Sequence, residues 1–251
     1  MAASTLGHRL AVPFAIAVAA FGSVAAHAAD AIRQETVQFA KGSSETTIKG
    51  QLKGDQTVDY RVRAGAGQTL NVALKGSNAQ NYFNVLPPGS ADVAMFVGQA
   101  GGGYKGVLPT DGDYTVRVYL MRPAARRNES SNYMLTVGVT SKPLPPLPAA
   151  KDALIPGTRF HASATVACTP PFEAKPQQCE AFVIRRGFDG TATVEVHGGN
   201  GSKRNILFVK GAPAASDATD AMTFAREGDS TLVKFGADER YTVPDAFVSG
   251  G

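Results

Sequence analysis

The sequence predicts an all-β protein, in which an N-terminal antiparallel β-sandwich is followed by a second small β domain of meander or barrel-like form with one disulfide. Short segments that alternate apolar and polar residues recur at nearly regular spacing, and no segment has a convincing helical period. The chain contains 27 glycines and 15 prolines but no tryptophan. This composition suits a β protein with many turns.

The first 28 residues have the pattern of a secretory signal peptide. Arg9 precedes an apolar run from Leu10 to Val24, which is too short for a comfortable membrane span. Ala26 and Ala28 place small residues at the two positions that a signal peptidase reads, so we predict cleavage after Ala28. No later segment is apolar enough to cross a membrane. We therefore expect a periplasmic or secreted protein with no transmembrane segment.

Residues 29–140 are predicted to form the sandwich. Its best-specified strands follow Gly112 and precede Thr140, where apolar residues alternate with polar or small ones. The other predicted strands are Thr46–Leu52, Val58–Val62, Leu70–Leu74, Tyr82–Leu86, Val93–Val97 and Tyr104–Leu108. The connection between the two best strands is about ten residues, longer than a usual hairpin loop. It carries three arginines, which makes it a candidate binding element, although a solvated crossover held by local salt bridges is the alternative.

Five prolines between residues 141 and 156 mark the boundary between the two domains. Proline at this density favours an extended polyproline-II linker. We expect few packing contacts to cross such a linker. The second domain then spans residues 157–251.

The two cysteines of the chain, Cys168 and Cys179, lie in the second domain. In an oxidising compartment an even pair favours a disulfide over a metal or redox site. Their spacing is also not Cys-x-x-Cys, which speaks against a thioredoxin-like role. The loop between them has three prolines and no glycine, so it is stiff before it is closed.

Catalytic, metal, cofactor and nucleic-acid functions all lack a sequence signal. The mature chain has two histidines, His161 and His197, both on predicted outward strand faces, and no metal-ligand spacing or Gly-x-Ser-x-Gly elbow is present. The glycine-rich turns at Gly65–Gly67 and Gly101–Gly103 lack the sequence of a phosphate loop. The formal net charge of +4 is mild, and no basic face with interleaved aromatics is evident. We therefore expect a non-enzymatic binding protein.

The strand that contains Tyr114 and the arginines after it carry a family resemblance. The pattern reads Leu108-Pro109-x-x-Gly112-x-Tyr114-x-x-Arg117-Val118, then Arg122-x-x-Ala125-Arg126, then a closing strand that begins at Tyr133. It resembles the periplasmic inhibitors of goose-type (g-type) lysozyme. The resemblance covers roughly Thr46 to Val139, which is the first domain and none of the second.

The resemblance implies a β-sandwich whose loops enter the substrate cleft of the lysozyme. Arg122 and Arg126 would then face carboxylates in that cleft, where a guanidinium can pair bidentately. Together with Arg127, Tyr82 and Tyr119, they are the predicted partner-binding residues.

The alternative is a cell-envelope module that binds glycan or protein, with a second domain that anchors the protein or forms a homodimer. A glycan-binding module should present a cluster of exposed aromatic rings. Tyr82, Tyr104 and Tyr119 are the candidates that the sequence offers for such a cluster.

Overall fold

The first domain consists of two facing β-sheets in a computed structural model that describes residues 1–3, 32–98 and 102–250. Residues 4–28 of the predicted signal peptide lie outside this range. The strands of this domain are β1 (Arg33–Thr36), β2 (Glu45–Lys53), β3 (Thr57–Ala64), β4 (Thr69–Gly76), β5 (Asn81–Leu86), β6 (Phe96–Val97), β7 (Tyr104–Val107), β8 (Gly112–Leu120) and β9 (Ser130–Thr140). One sheet has the order β1-β3-β8-β5-β6, and the other has the order β2-β9-β4-β7.

The core between these sheets contains the apolar residues that alternate along the strands. Every second residue is buried from Tyr114 to Leu120 in β8 and from Ser131 to Val137 in β9, so both predicted strands are confirmed. The hydroxyl groups of Tyr60 and Tyr133 bond to each other across the core at 2.7 Å. Because burial of each large side chain contributes about 1.5–3 kcal/mol, these rows supply most of the cohesion of the sandwich.

Three local features of this domain differ from the sequence prediction. The polar segment Arg33–Thr36 forms an edge strand that pairs parallel to β3. The predicted strand Val93–Val97 is shortened to Phe96–Val97. The connection after β8 is not an open loop, because it contains the one-turn helix α1 (Arg122–Arg126).

The second domain is a single eight-stranded antiparallel sheet that nearly closes into a barrel. Its elements are β10 (Ala162–Thr169), β11 (Gln177–Arg185), β12 (Ala192–His197), β13 (Lys203–Val209), β14 (Ala212–Ser216), β15 (Met222–Glu227), β16 (Ser230–Phe235), β17 (Glu239–Pro244) and α2 (Asp245–Ser249). The strand order is β14-β13-β12-β11-β10-β17-β16-β15. A disulfide joins Cys168 on β10 to Cys179 on β11, with a Cα–Cα distance of 5.9 Å, and this confirms the predicted pairing.

The two predicted outward histidines of this domain have different environments. His161 is buried, and its ring bonds to the Leu147 carbonyl and the Arg185 N–H, so the outward prediction is wrong for this residue. His197 is half-exposed and pairs with Glu195 at 2.6 Å. No helix among the described residues is long and apolar enough to cross a membrane.

The proline-rich segment packs against both domains, so the expectation of few contacts across it is wrong. The buried Arg186 guanidinium donates to Asp111 Oδ2 at 2.7 Å, to the Leu144 carbonyl at 2.5 Å and to Thr193 Oγ1 at 3.0 Å. Thr193 in turn donates to the Pro109 carbonyl at 2.7 Å. First domain, linker and second domain thus share one buried polar cluster.

A small apolar cluster adjoins this polar one. Ala66 of the first domain packs with Leu144 of the linker and Leu207 of the second domain. The Leu144 N–H also donates to the Ala66 carbonyl at 2.8 Å. Residues 32–98 and 102–250 therefore form one compact unit.

The strands of the sandwich run between two ends, which we call the junction end and the distal end. The junction end contacts the second domain through Ala66, Pro109 and Asp111. Thr219 of the second domain also donates to the Ala94 carbonyl, in the β5–β6 connection, at 2.8 Å. Strand β8 begins at this end and spans nine residues, which corresponds to about 30 Å at roughly 3.3 Å per residue. The arginine-rich connection follows β8 and therefore lies at the distal end, away from the second domain.

Candidate functional site

Three chain connections meet at the distal end. They are residues 54–56 between β2 and β3, residues 77–80 between β4 and β5, and residues 121–129 between β8 and β9. The Gly54 N–H donates to the Glu129 carbonyl at 2.8 Å, and the Met121 N–H donates to the Gln80 carbonyl at 2.9 Å. The arginine-rich connection is thus held by backbone contacts to both of its neighbours.

Helix α1 is a single turn that the rest of the domain holds in place. Pro123 lies in its first turn, where its missing N–H costs nothing and its fixed φ suits the start of a helix. Ala124 is fully buried against the core of the sandwich. Because one isolated turn is not stable in water, this anchor is needed to keep the helix formed. Asn128, with φ of 53°, then turns the chain back toward β9.

The predicted arginines fall into two groups. Arg122 and Arg126 are exposed and, within residues 32–98 and 102–250, form no ion pair. Arg127 pairs with Glu129 through Nε and Oε1 at 2.6 Å. Two guanidinium groups are therefore exposed without an ion pair among the described residues, while the third is engaged within the connection.

Glu129 is a site residue for which the sequence offered only a local salt bridge. Its Oε2 accepts a hydrogen bond from Asn78 Nδ2 at 2.7 Å, in addition to the bond from Arg127 to Oε1. These bonds, from Asn78 first and then Arg127, lower the pKa of the Glu129 carboxyl. The group is therefore ionised at neutral pH. A link to a residue about fifty positions away has no signal in the local sequence.

Tyr82 and Tyr119 are brought together on the outer face of the five-stranded sheet. They are direct cross-strand partners between β5 and β8, and their rings meet edge to face at 6.4 Å. Tyr119 also donates to Asn84 Oδ1 at 3.1 Å. Both rings are half-buried, near the end of the sheet from which α1 departs.

Tyr104 does not join this pair. Its ring packs against Phe96 at a centroid distance of 5.1 Å and contacts the core. Burial raises the pKa of Tyr104 to about 12. The cluster of three exposed tyrosines that a glycan-binding module would use is therefore not formed.

The residues of the Gly-x-Tyr-x-x-Arg pattern make contacts within the sandwich. Tyr114 is buried and donates its hydroxyl hydrogen to the Thr110 carbonyl at 2.8 Å. Arg117 bonds Asp59 through two nitrogens, at 2.7 and 2.9 Å. A Cβ atom at Gly112 would lie 2.6 Å from a Pro88 side-chain atom, so only glycine fits there. The Gly-x-Tyr-x-x-Arg pattern is therefore explained by the structural needs of the sandwich.

The second domain presents paired charges and no metal site in its described part. Arg204 is buried between Asp217 and Glu239 and lines a cavity beside the disulfide loop. Glu195 bonds both His197 and Arg159 at 2.6 Å. No group of three His, Cys, Asp or Glu residues suited to a metal ion occurs among the described residues.

No protein-family model matches this chain, but solved and curated relatives do. It is 36% identical to the periplasmic inhibitor of g-type lysozyme PliG from Aeromonas hydrophila, across 97% of that protein and 43% of this chain, with a TM-score of 0.42. A mutant of the Escherichia coli PliG is 28% identical across 100% of its length and 44% of this chain, with a TM-score of 0.35. The curated inhibitor of g-type lysozyme from Escherichia coli (strain K12) is 28% identical over 106 residues, 78% of its length and 41% of this chain.

These relatives are named as inhibitors and not as enzymes, and each matches a share of this chain about the size of one domain. The sequence identity to the Aeromonas hydrophila protein holds over nearly its whole length. Through one of its two domains, the chain therefore belongs to the family of periplasmic inhibitors of g-type lysozyme.

Proposed function

We propose that this protein is an exported inhibitor of g-type lysozyme that acts from the distal end of its sandwich. In this proposal Arg122 and Arg126 enter the substrate cleft and pair with carboxylates there. The observation that supports it most is that both arginines are exposed and unpaired among the described residues, on a helical turn that buried Ala124 anchors.

The chemistry of the site fits an acidic cleft. A guanidinium presents its donors in a planar fork that matches a carboxylate, so each arginine can form two parallel charge-assisted hydrogen bonds. Because α1 is already formed, less conformational entropy is lost on binding than with a flexible loop. The carboxylate of Glu129 engages Arg127, which leaves the other two arginines for the partner.

The position of the site also favours access by a large partner. The second domain is attached at the junction end, about 30 Å from α1 along the nine residues of β8. It therefore leaves the distal end open. We propose Tyr82 and Tyr119 as contacts at the rim, since an aromatic pair near the arginines adds apolar contact area at little entropic cost.

The test is inhibition of a purified g-type lysozyme by the wild-type protein and by the double variant Arg122→Ala/Arg126→Ala. If both arginines pair with desolvated carboxylates, each should contribute about 2–5 kcal/mol, so the double variant should lose most inhibition. The matched control is Arg61→Ala/Arg63→Ala, which removes the same charge from the outer face of β3. Arg63 pairs only with exposed Asp113, so the control should inhibit like the wild type.

The outcomes separate the proposal from its alternatives. Equal losses of inhibition in both double variants would mean that inhibition depends on the net charge of the protein and not on these two arginines. A lower melting temperature in the Arg122/Arg126 variant would assign these arginines a structural role. Wild-type protein that never inhibits a g-type lysozyme but is retained on insoluble peptidoglycan would replace inhibition by glycan binding.

A further inference from the structure

Glu129 contacts all three connections of the distal end. Its carboxylate accepts hydrogen bonds from Asn78 in the β4–β5 connection and from Arg127 after α1. Its carbonyl accepts the Gly54 N–H of the β2–β3 turn at 2.8 Å, and its own N–H donates to the Ala124 carbonyl of α1 at 3.1 Å. This single residue therefore links the helical turn to both of its neighbours.

At its start, the turn that carries the arginines is restrained by the bond from the Met121 N–H to the Gln80 carbonyl. Met121, the residue before α1, makes no side-chain capping bond, and the first turn has no acidic residue. Buried Ala124 fixes one side of the turn. The links through Glu129 then fix where the end of the turn, with Arg126, points.

Gly54 approaches the connection that carries Glu129 closely. Gly54 has a φ of 60°, and a Cβ atom at this position would lie 2.8 Å from Asn128 Oδ1. The close approach lets the Gly54 N–H reach the Glu129 carbonyl. The backbone bonds thus set the spacing of the connections, and the carboxylate adds the two side-chain links.

We propose that Glu129 is a positioning residue for inhibition: its carboxylate holds α1 in the orientation in which Arg122 and Arg126 meet the partner, and it keeps Arg127 turned away from that partner. This inference rests on the proposed function. Under this inference the acidic Glu129 helps binding to an acidic cleft, although its own charge would be repelled by that cleft.

Charge and positioning predict opposite effects when this carboxylate is removed. Glu129→Gln makes the distal end more positive, so electrostatics alone would strengthen binding to an acidic cleft. A glutamine cannot accept at both terminal atoms, because one of them is an NH2 donor, so in the same geometry it keeps the bond from Asn78 or the bond from Arg127 but not both. Positioning therefore predicts weaker binding, by about fivefold to thirtyfold in inhibition constant.

The experiment compares Glu129→Gln, Asn78→Ala and the double variant with wild type, in inhibition of a g-type lysozyme at neutral pH and moderate salt. Asn78→Ala breaks one of the two side-chain links of Glu129, so its loss should be no larger than that of Glu129→Gln, and the double variant should lose little more than Glu129→Gln alone. The charge control is Glu45→Gln, an exposed carboxylate on β2 at the opposite end from Glu129 in the β2–β9 register. It should inhibit like the wild type.

A pH series provides a readout that loss of stability alone would not move. Since the pKa of Glu129 is lowered, its positioning effect should be present at neutral pH and disappear only below the ordinary range of a glutamate. The ratio of the Glu129→Gln to wild-type inhibition constants should therefore approach one at low pH. Thermal melting should show both proteins folded across the series.

The results distinguish failure of this inference from failure of the proposed function. Unchanged or tighter inhibition by Glu129→Gln, with inhibition still lost in Arg122→Ala/Arg126→Ala, would overturn the positioning role alone. Absence of inhibition by the wild-type protein would overturn both.

Discussion

Removal of the Arg186 side chain from the junction should destabilise the whole unit. The variant Arg186→Met keeps much of the length of the side chain but removes all three of its hydrogen bonds, to Asp111, Leu144 and Thr193. Burial lowers the pKa of this guanidinium although Asp111 opposes the effect. The interaction with Asp111 is therefore what makes a charge acceptable at a fully buried position.

The expected cost is about 3 kcal/mol in the free energy of unfolding. Removal of one partner of a buried ion pair commonly costs about 3–5 kcal/mol. The Asp111 side chain is 33% exposed and keeps its bond from the Ala66 N–H, which places the cost at the lower end. For a unit of this size, about 3 kcal/mol corresponds to a fall in Tm of about 6–12 °C.

Calorimetry or circular-dichroism melting would measure this fall. The control is Arg63→Met, because the Arg63–Asp113 pair is exposed and should contribute only about 0–1 kcal/mol. A separation of the melt into two transitions in Arg186→Met alone would show that the polar cluster couples the two domains. A fall no larger than that of the control would refute the argument that this cluster joins them.

Two further predictions concern single buried groups. Tyr114→Phe should cost about 1–2 kcal/mol in urea unfolding, because the buried Thr110 carbonyl loses its donor; a stability equal to wild type would show that water replaces the hydroxyl. Burial alone would raise the pKa of Glu195, but bonds from His197 and the charge of Arg159 outweigh it and lower the pKa. The stability that Glu195 contributes is therefore present above its ordinary pKa of 4.5 and lost as pH falls through the lower folded value. The free energy of unfolding should fall less steeply below about pH 4.5 in Glu195→Gln than in wild type. Equal slopes for the two proteins in this pH range would contradict a stabilising role of the Glu195 carboxylate.

The elements that could be predicted from sequence are those whose pattern is local. Alternation along β8 and β9 identifies both strands, because period two is a property of consecutive residues. Strand β1 cannot be found in this way, since Arg33–Thr36 has no apolar alternation and is held by backbone pairing to β3. Helix α1 could not be predicted from periodicity, because five residues are too few to establish a helical period.

The junction and the site depend on contacts between distant residues, which alternation cannot indicate. Thr193 lies on the face of β12 that alternation assigns to solvent, but the first domain covers it through the Pro109 carbonyl. At the site, the arginines could be predicted from a resemblance and from composition. That Arg127 is paired while the other two arginines form no ion pair among the described residues depends on the position of Glu129, which Asn78 helps to fix. No local sequence pattern indicates the contact between Glu129 and Asn78.

Strand β2 lies at an edge of the four-stranded sheet and is nine residues long, so it could pair with another copy of the protein at high concentration. A long edge with unpaired backbone groups is a template for strand addition by another copy, and thus for aggregation. The exposed residues of β2 include Glu45, Lys49 and Lys53, spaced four apart along it. A second copy of β2 pairing in parallel register would bring like charges together at these positions, and an incoming strand in either direction would have to desolvate them. The charges therefore discourage edge-to-edge pairing through β2 and help to keep a concentrated solution of the protein free of β-aggregates.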